Sequence, residues 1–244
     1  MEKARASDLK AEIIYVRDKE CLDVIDKIRR IIRDGTVETE MLRLMAIPML
    51  YSVWERAFSS WTAISLKVIQ ECSAAASDCP PAARAYWLRK ADFFRRFVDT
   101  MRDVMELDKE DSVFQQAGNI KRSTKKGAFH LSGQILEELD KWHSLPLKAS
   151  HDHKDLVVTY SNVNDSVVKT NAEAIGLASL PSYNELDLSE LSKLVGLRNG
   201  IGHGAVLAPP GQREVSDLID YTERLLQQYS NVAVDWISAH ESDT

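Results

Sequence analysis

Residues 41–69 read MLRLMAIPMLYSVWERAFSSWTAISLKVI, and the spacing of their apolar side chains decides the fold class. Leu44, Ile47, Leu50, Val53, Trp54, Phe58, Trp61, Ile64 and Val68 recur every three or four residues. That is the period of a helix packed on a core, not the alternation of a strand. Arg43, Glu55, Arg56 and Lys67 interrupt the run, which reads as a buried helix rather than a membrane span. Pro48 falls inside it, and its missing N–H predicts a kink or a restart there.

Working outward, the same period governs most of the chain. Ile13, Ile14, Val16, Leu22, Ile25, Ile28 and Ile32 form the stripe of a first helix that Asp34-Gly35 should stop. After the break at Ser77-Asp78-Cys79-Pro80-Pro81, a third helix is expected from Ala82 to Met105, burying Trp87, Phe93, Phe94, Phe97 and Met101. A helical pattern resumes from Leu131 to Trp142. The β-branched run Leu156-Val157-Val158-Thr159-Tyr160 is the only strand candidate, and one strand does not make a sheet. Further helices are expected over Asp165–Ile175, stopped by Gly176, and from Asp187, which can cap a helix with Glu190 as its capping-box partner. Leu188, Leu191, Leu194, Val195 and Leu197 supply that helix's apolar face. A turn at Ala208-Pro209-Pro210-Gly211 precedes a final helix from Arg213 to Ile237. The expectation is an all-α bundle: one domain over 1–244, an irregular insertion at 106–160, and at most one short strand or hairpin.

Composition narrows the function classes. With 44% hydrophobic and 28% charged residues the chain is globular, and a formal charge of −6 argues against coating nucleic acid through an overall field. A local basic patch can still grip phosphate. Cys21, Cys72 and Cys79 are odd in number and lack metal-ligand spacing, so they read as reduced thiols of a cytoplasmic protein. No apolar stretch comes after the charged start Met1–Arg5, so neither signal peptide nor membrane association is expected. No Walker-type or dinucleotide glycine loop is present, and no cofactor is expected.

The segment Leu194-Val195-Gly196-Leu197-Arg198-Asn199-Gly200-Ile201-Gly202-His203-Gly204 stands apart. Each of its first three glycines costs a helix about 1 kcal/mol relative to alanine, which makes sense where a backbone or substrate must come close. Gly204 fits the position that ends a helix. Asn199 and His203 share a face, and Arg198 lies to one side with a side chain long enough to reach the same space. Arginine brings a permanent charge and a donor fork for phosphate oxygens, and histidine exchanges protons near neutral pH. Together they can deprotonate a ribose 2′-hydroxyl and stabilise charge on a phosphorane without a metal. The plainer reading is a helix end with a cationic residue and a cap.

This segment resembles the Arg-Asn-x-x-x-His motif of the HEPN superfamily (higher eukaryotes and prokaryotes nucleotide-binding domains), usually with glycine after the histidine, as in His203-Gly204. Leu50–Phe58 is similar to the Tyr-x-x-Trp-Glu helix of a prokaryotic HEPN-like nuclease branch, and Thr159–Asn164 to its Ser-Asn-x-Asn segment. The matches fall in order over roughly residues 40–235. The resemblance implies a HEPN-like helical bundle that forms a homodimer, bringing two motif copies together. It implies a metal-independent endoribonuclease acting on RNA, of toxin–antitoxin or phage-defence type, with an antitoxin or defence-system partner. The catalytic set would be Arg198 and His203, with Asn199 in support and Glu55 facing the motif from an earlier helix. The family often has alanine before the histidine, where this chain has Gly202. Some HEPN domains serve only as nucleotide-binding or interaction modules, which is the alternative function.

Other features have two readings each. His143, His151 and His153 with Asp152 suggest a metal site or a solvated loop, and no further ligand set accompanies them, so no metal is expected. Lys121, Arg122, Lys125 and Lys126 can hold an RNA backbone or simply face water. Arg84, Arg89, Lys90, Arg95 and Arg96 read as a helix's wet face. Trp54 and Trp61 read as core or dimer-interface residues rather than base-stacking platforms.

Overall fold

The computed structural model describes residues 1–33, 39–90, 99, 133, 136–144, 147, 153–160, 162–205 and 208–241. Among these every regular element is helical. The run 156–160 carries no strand: Leu156 ends a single helical turn, His153–Leu156, and no described segment offers a ladder with which residues 157–160 could pair.

Contacts divide the chain into two compact units. One joins Met1–Cys72 to Ala149–Thr244, and the other is Ser73–Lys148. The first begins with α1 (Lys3–Tyr15), a π-helical segment (Val16–Leu22) and α2 (Asp23–Arg33), which succeed one another without a break. The buried stripe of this rod is Ala6, Leu9, Ile13, Val16, Cys21, Ile25, Ile28 and Ile32. Its steps are three or four residues except from Val16 to Cys21, which is five, within the wider π turn. Ile14, next to the buried Ile13, falls off this stripe and is 40% exposed.

The next helix, α3 (Thr39–Cys72), runs unbroken through Pro48, so the expected restart does not occur. The Ser52 hydroxyl donates to the Pro48 carbonyl at 2.8 Å. In the second unit, a 3-10 turn (Ala76–Asp78) leads into α4 (Pro81–Lys90), where Tyr86 and Trp87 are buried, and a further helix covers 136–144. Phe93, Phe94, Phe97 and Met101, Arg95 and Arg96, and the basic cluster Lys121, Arg122, Lys125 and Lys126 lie outside the described residues. The first unit resumes with α5 (Asp165–Ile175), α6 (Leu191–Gly202) and α7 (Gln212–Ala239). The sequence places α5 correctly because its stops are local: Asn164 caps it by accepting from the Val167 N–H at 3.0 Å, and Gly176 ends it at φ 95°.

At the centre of this unit, α3 packs against α2, α6 and α7. A helix surrounded in this way must be apolar on most of its circumference, as residues 41–69 are. Trp54, Phe58 and Trp61 gather around Tyr229 of α7, with ring centroids 5.6, 5.9 and 5.7 Å away. The Trp61 indole N–H donates to the Ile13 carbonyl at 3.2 Å, joining α3 to the last turn of α1. Both tryptophans are fully buried, so they are core residues. Truncating Trp61 to alanine should lower the unfolding free energy by about 3–5 kcal/mol in urea denaturation. Ile14→Ala should change it by only about 0.5 kcal/mol.

Candidate functional site

The site is built on α6, whose start differs from expectation. Asp187 and Glu190 form no capping box. The Asp187 carboxylate instead accepts from the Ser189 N–H (3.0 Å) and hydroxyl (2.6 Å), a local turn that competes with helix capping. These bonds hold its carboxyl below the usual range. Asp187 is also tied to α7: its N–H donates to Gln228, and its carbonyl accepts from the Tyr221 hydroxyl at 3.1 Å. The helix therefore starts at Leu191. Ser192 donates to Asp165 at 2.9 Å and Lys193 pairs with Glu214 at 3.1 Å, linking α6 to α5 and α7.

Along α6, Leu191, Leu194 and Val195 face the core, Arg198, Asn199 and Gly200 are half-buried, and His203 is exposed. The helix ends as the sequence suggested. Gly204 adopts φ 69°, its N–H bonds the Ile201 carbonyl at 3.1 Å, and the Ala205 N–H bonds the Gly200 carbonyl at 2.8 Å. This is the Schellman arrangement, and it leaves His203 as the last residue before the turn.

Arg198 lies with its guanidinium carbon 4.9 Å from the centre of the Tyr51 ring on α3, and it donates to the Asn199 side-chain oxygen at 2.8 Å. Among the described residues no carboxylate forms an ion pair with it. A cation–π contact leaves the positive charge intact, whereas a carboxylate partner would neutralise it. The side-chain bond of Asn199 is thus to Arg198.

Glu55 is half-buried and accepts from the Tyr51 hydroxyl at 3.3 Å, reaching the motif through that tyrosine. The same hydroxyl accepts from the Val163 N–H at 2.9 Å, and the Trp54 indole donates to the Val163 carbonyl at 3.0 Å. The three separated sequence segments therefore meet, with Tyr51 touching all of them. Tyr51 is the tyrosine of the Tyr-x-x-Trp-Glu pattern, and sequence reasoning gave it no role. It stands in the Leu50–Phe58 segment, four residues before Glu55, but nothing local shows that its ring lies under Arg198. Burial raises its phenol above the ordinary range, so it keeps the proton it gives to Glu55. Tyr160, in the same loop as Val163, is 71% exposed at φ 47°.

The glycines were expected to permit close approach. A Cβ added at Gly196 or at Gly202 would meet nothing within 4 Å, so no described part of this chain needs them to be small. Of the histidines, His153 lies 2.5 Å from the Gln70 amide oxygen and His143 sits beside Trp142, while His151 and Asp152 lie outside the described residues. No group of three or more potential ligands occurs among the described residues. Nor is any described helix long and apolar enough to cross a membrane.

A family model described as RiboL-PSP-HEPN matches residues 12–235. No curated protein and no solved structure matches the chain.

Two substitutions test the geometry of α6. Gly204→Ala should destabilise the protein by about 1 kcal/mol, since a side chain is strained at positive φ. Gly196→Ala should leave stability unchanged or raise it by up to about 1 kcal/mol, because helix propensity improves and no described atom is displaced. Thermal unfolding of the two variants against the parent measures both.

Proposed function

The chain belongs to the RiboL-PSP-HEPN family of the HEPN superfamily, and from that premise we propose that it is a metal-independent endoribonuclease whose site forms where two copies of the chain meet. The observation that carries this reading is the pair Arg198 and His203. The arginine keeps its charge in a half-buried setting, and one helical turn on the histidine is open to solvent. In the proposed reaction His203 takes the proton of a ribose 2′-hydroxyl as that oxygen bonds to phosphorus. Arg198, steadied by Asn199, stabilises the charge on the phosphorane oxygens. The bond from phosphorus to the 5′-oxygen then breaks, and that oxygen takes up a proton. The 3′ fragment leaves with a 5′-hydroxyl, and the 5′ fragment keeps a 2′,3′-cyclic phosphate. Glu55 stays out of the proton transfers and acts on the site through Tyr51.

A second copy is invoked for a geometric reason. Arg198 and His203 are five residues apart, about 140° around the helix axis, so one chain turns them to different sides. Two helices facing each other can bring the arginine of one toward the histidine of the other. Gly196 and Gly202, open in this chain, would let the second chain or the RNA approach closely. A toxin–antitoxin or antiviral defence setting, with its antitoxin or defence partner, is the biological context the family resemblance favours. That same divergence of Arg198 and His203 also favours a second reading, a non-catalytic nucleotide-binding or protein-interaction module of a defence complex.

Cleavage assays decide between them. Arg198→Ala and His203→Ala should each lower RNA cleavage by about 100-fold or more while circular dichroism stays unchanged. Gly196→Ala should fold at least as well as the parent yet cut less. Undiminished cleavage by the Arg198/His203 double variant rejects the assignment. Nucleotide or partner binding with no cleavage by the parent protein supports the second reading.

A further inference from the structure

The side chain that connects the three segments of the site is neither of the proposed reacting residues. Tyr51 is 1% exposed, and both its ring and its hydroxyl are engaged. The ring lies against the Arg198 guanidinium. The hydroxyl accepts from the Val163 N–H and donates to Glu55, so its proton and an acceptor position are both in use. One turn along α3, the Trp54 indole donates to the carbonyl of the same residue. Val163 is thus held at both of its backbone polar groups by a single helix, and Asn164 beyond it caps α5. A ring fixed by its hydroxyl in this way cannot swing aside, and the cation resting on it has a defined place.

We infer that Tyr51 is a positioning residue of this site: its ring places Arg198, and its hydroxyl fixes that ring to the loop leading into α5, so the loop and the guanidinium share one support. The inference rests on the nuclease reading for its catalytic consequence, but the placement of Arg198 is testable without it. The two halves of the role need different parts of the side chain. Phenylalanine keeps the ring and loses the tie to Val163 and Glu55. Leucine keeps apolar bulk and loses both. Anything that displaces Val163 would also shift the surface on which Arg198 rests, which gives the loop carrying the exposed Tyr160 a route to the site.

The experiment compares the parent with Tyr51→Phe and Tyr51→Leu by NMR and by cleavage kinetics. In the parent, the Arg198 side-chain protons should be shifted upfield by the ring current, with their signals identified by their loss in Arg198→Lys. Tyr51→Leu should abolish that shift and lower kcat by roughly tenfold with little change in KM, the size expected from losing one cation–π contact in a half-buried setting. Tyr51→Phe should retain most of the shift and of kcat, while exchange of the Val163 amide speeds up by about tenfold. If Tyr51→Leu does not fold, the Phe variant and the parent shift still decide. Absence of the ring-current shift in the parent, unchanged Val163 exchange in Tyr51→Phe, or a kcat loss in Tyr51→Leu no larger than its unfolded fraction overturns the role. A parent protein that shows the shift and cleaves no RNA sinks the nuclease reading while upholding the placement of Arg198.

Discussion

Tyr51 and Trp54 hold both backbone polar groups of one residue, the N–H and the carbonyl of Val163, from successive turns of α3. Much of the site depends on that grip. A buried N–H and a buried carbonyl left without partners would together cost several kcal/mol, so the loop before α5 has strong reason to lie where those two side chains put it. The loop in turn delivers Asn164 to the start of α5. The tyrosine whose hydroxyl accepts the Val163 N–H carries Arg198 on its ring, so one side chain sets the place of both.

The central helix makes this possible. Because α3 is enclosed by α2, α6 and α7, its polar groups must find partners inside the protein. The Trp61 indole does so at Ile13, the Trp54 indole at Val163, and the Tyr51 hydroxyl at Val163 and Glu55. The bonds to Ile13 and Val163 fix other segments against this helix, and the aromatic cluster around Tyr229 adds apolar packing. The proposed chemistry sits at the edge of this core, where burial is partial. There an arginine can be held without being neutralised and a histidine can still meet solvent.

The helical class was legible because periodicity is a local signal, as the stripe from Leu44 to Val68 illustrates. So were the end of α5 at Gly176 and the end of α6 at Gly204, since caps are written in neighbouring residues. The start of α6 was not: Asp187 matches a capping pattern, but Ser189 takes its carboxylate, and Gln228 and Tyr221 on a distant helix hold its backbone. The π segment escaped notice because one additional residue between Val16 and Cys21 hardly disturbs an averaged pattern. At the site, Arg198, Asn199 and His203 were visible as phosphate-suited side chains and Glu55 through resemblance. Tyr51 was invisible in its role, because a cation–π contact between residues far apart in sequence leaves no trace in either segment.

The most direct measurement is end-group analysis of a defined RNA incubated with the purified protein in excess EDTA. Attack by the 2′-hydroxyl through Arg198 and His203 leaves 2′,3′-cyclic phosphate and 5′-hydroxyl termini, and this is the predicted result. Fragments ending in 3′-hydroxyl and 5′-phosphate, or cleavage that vanishes with the chelator and returns with a divalent ion, would contradict the account.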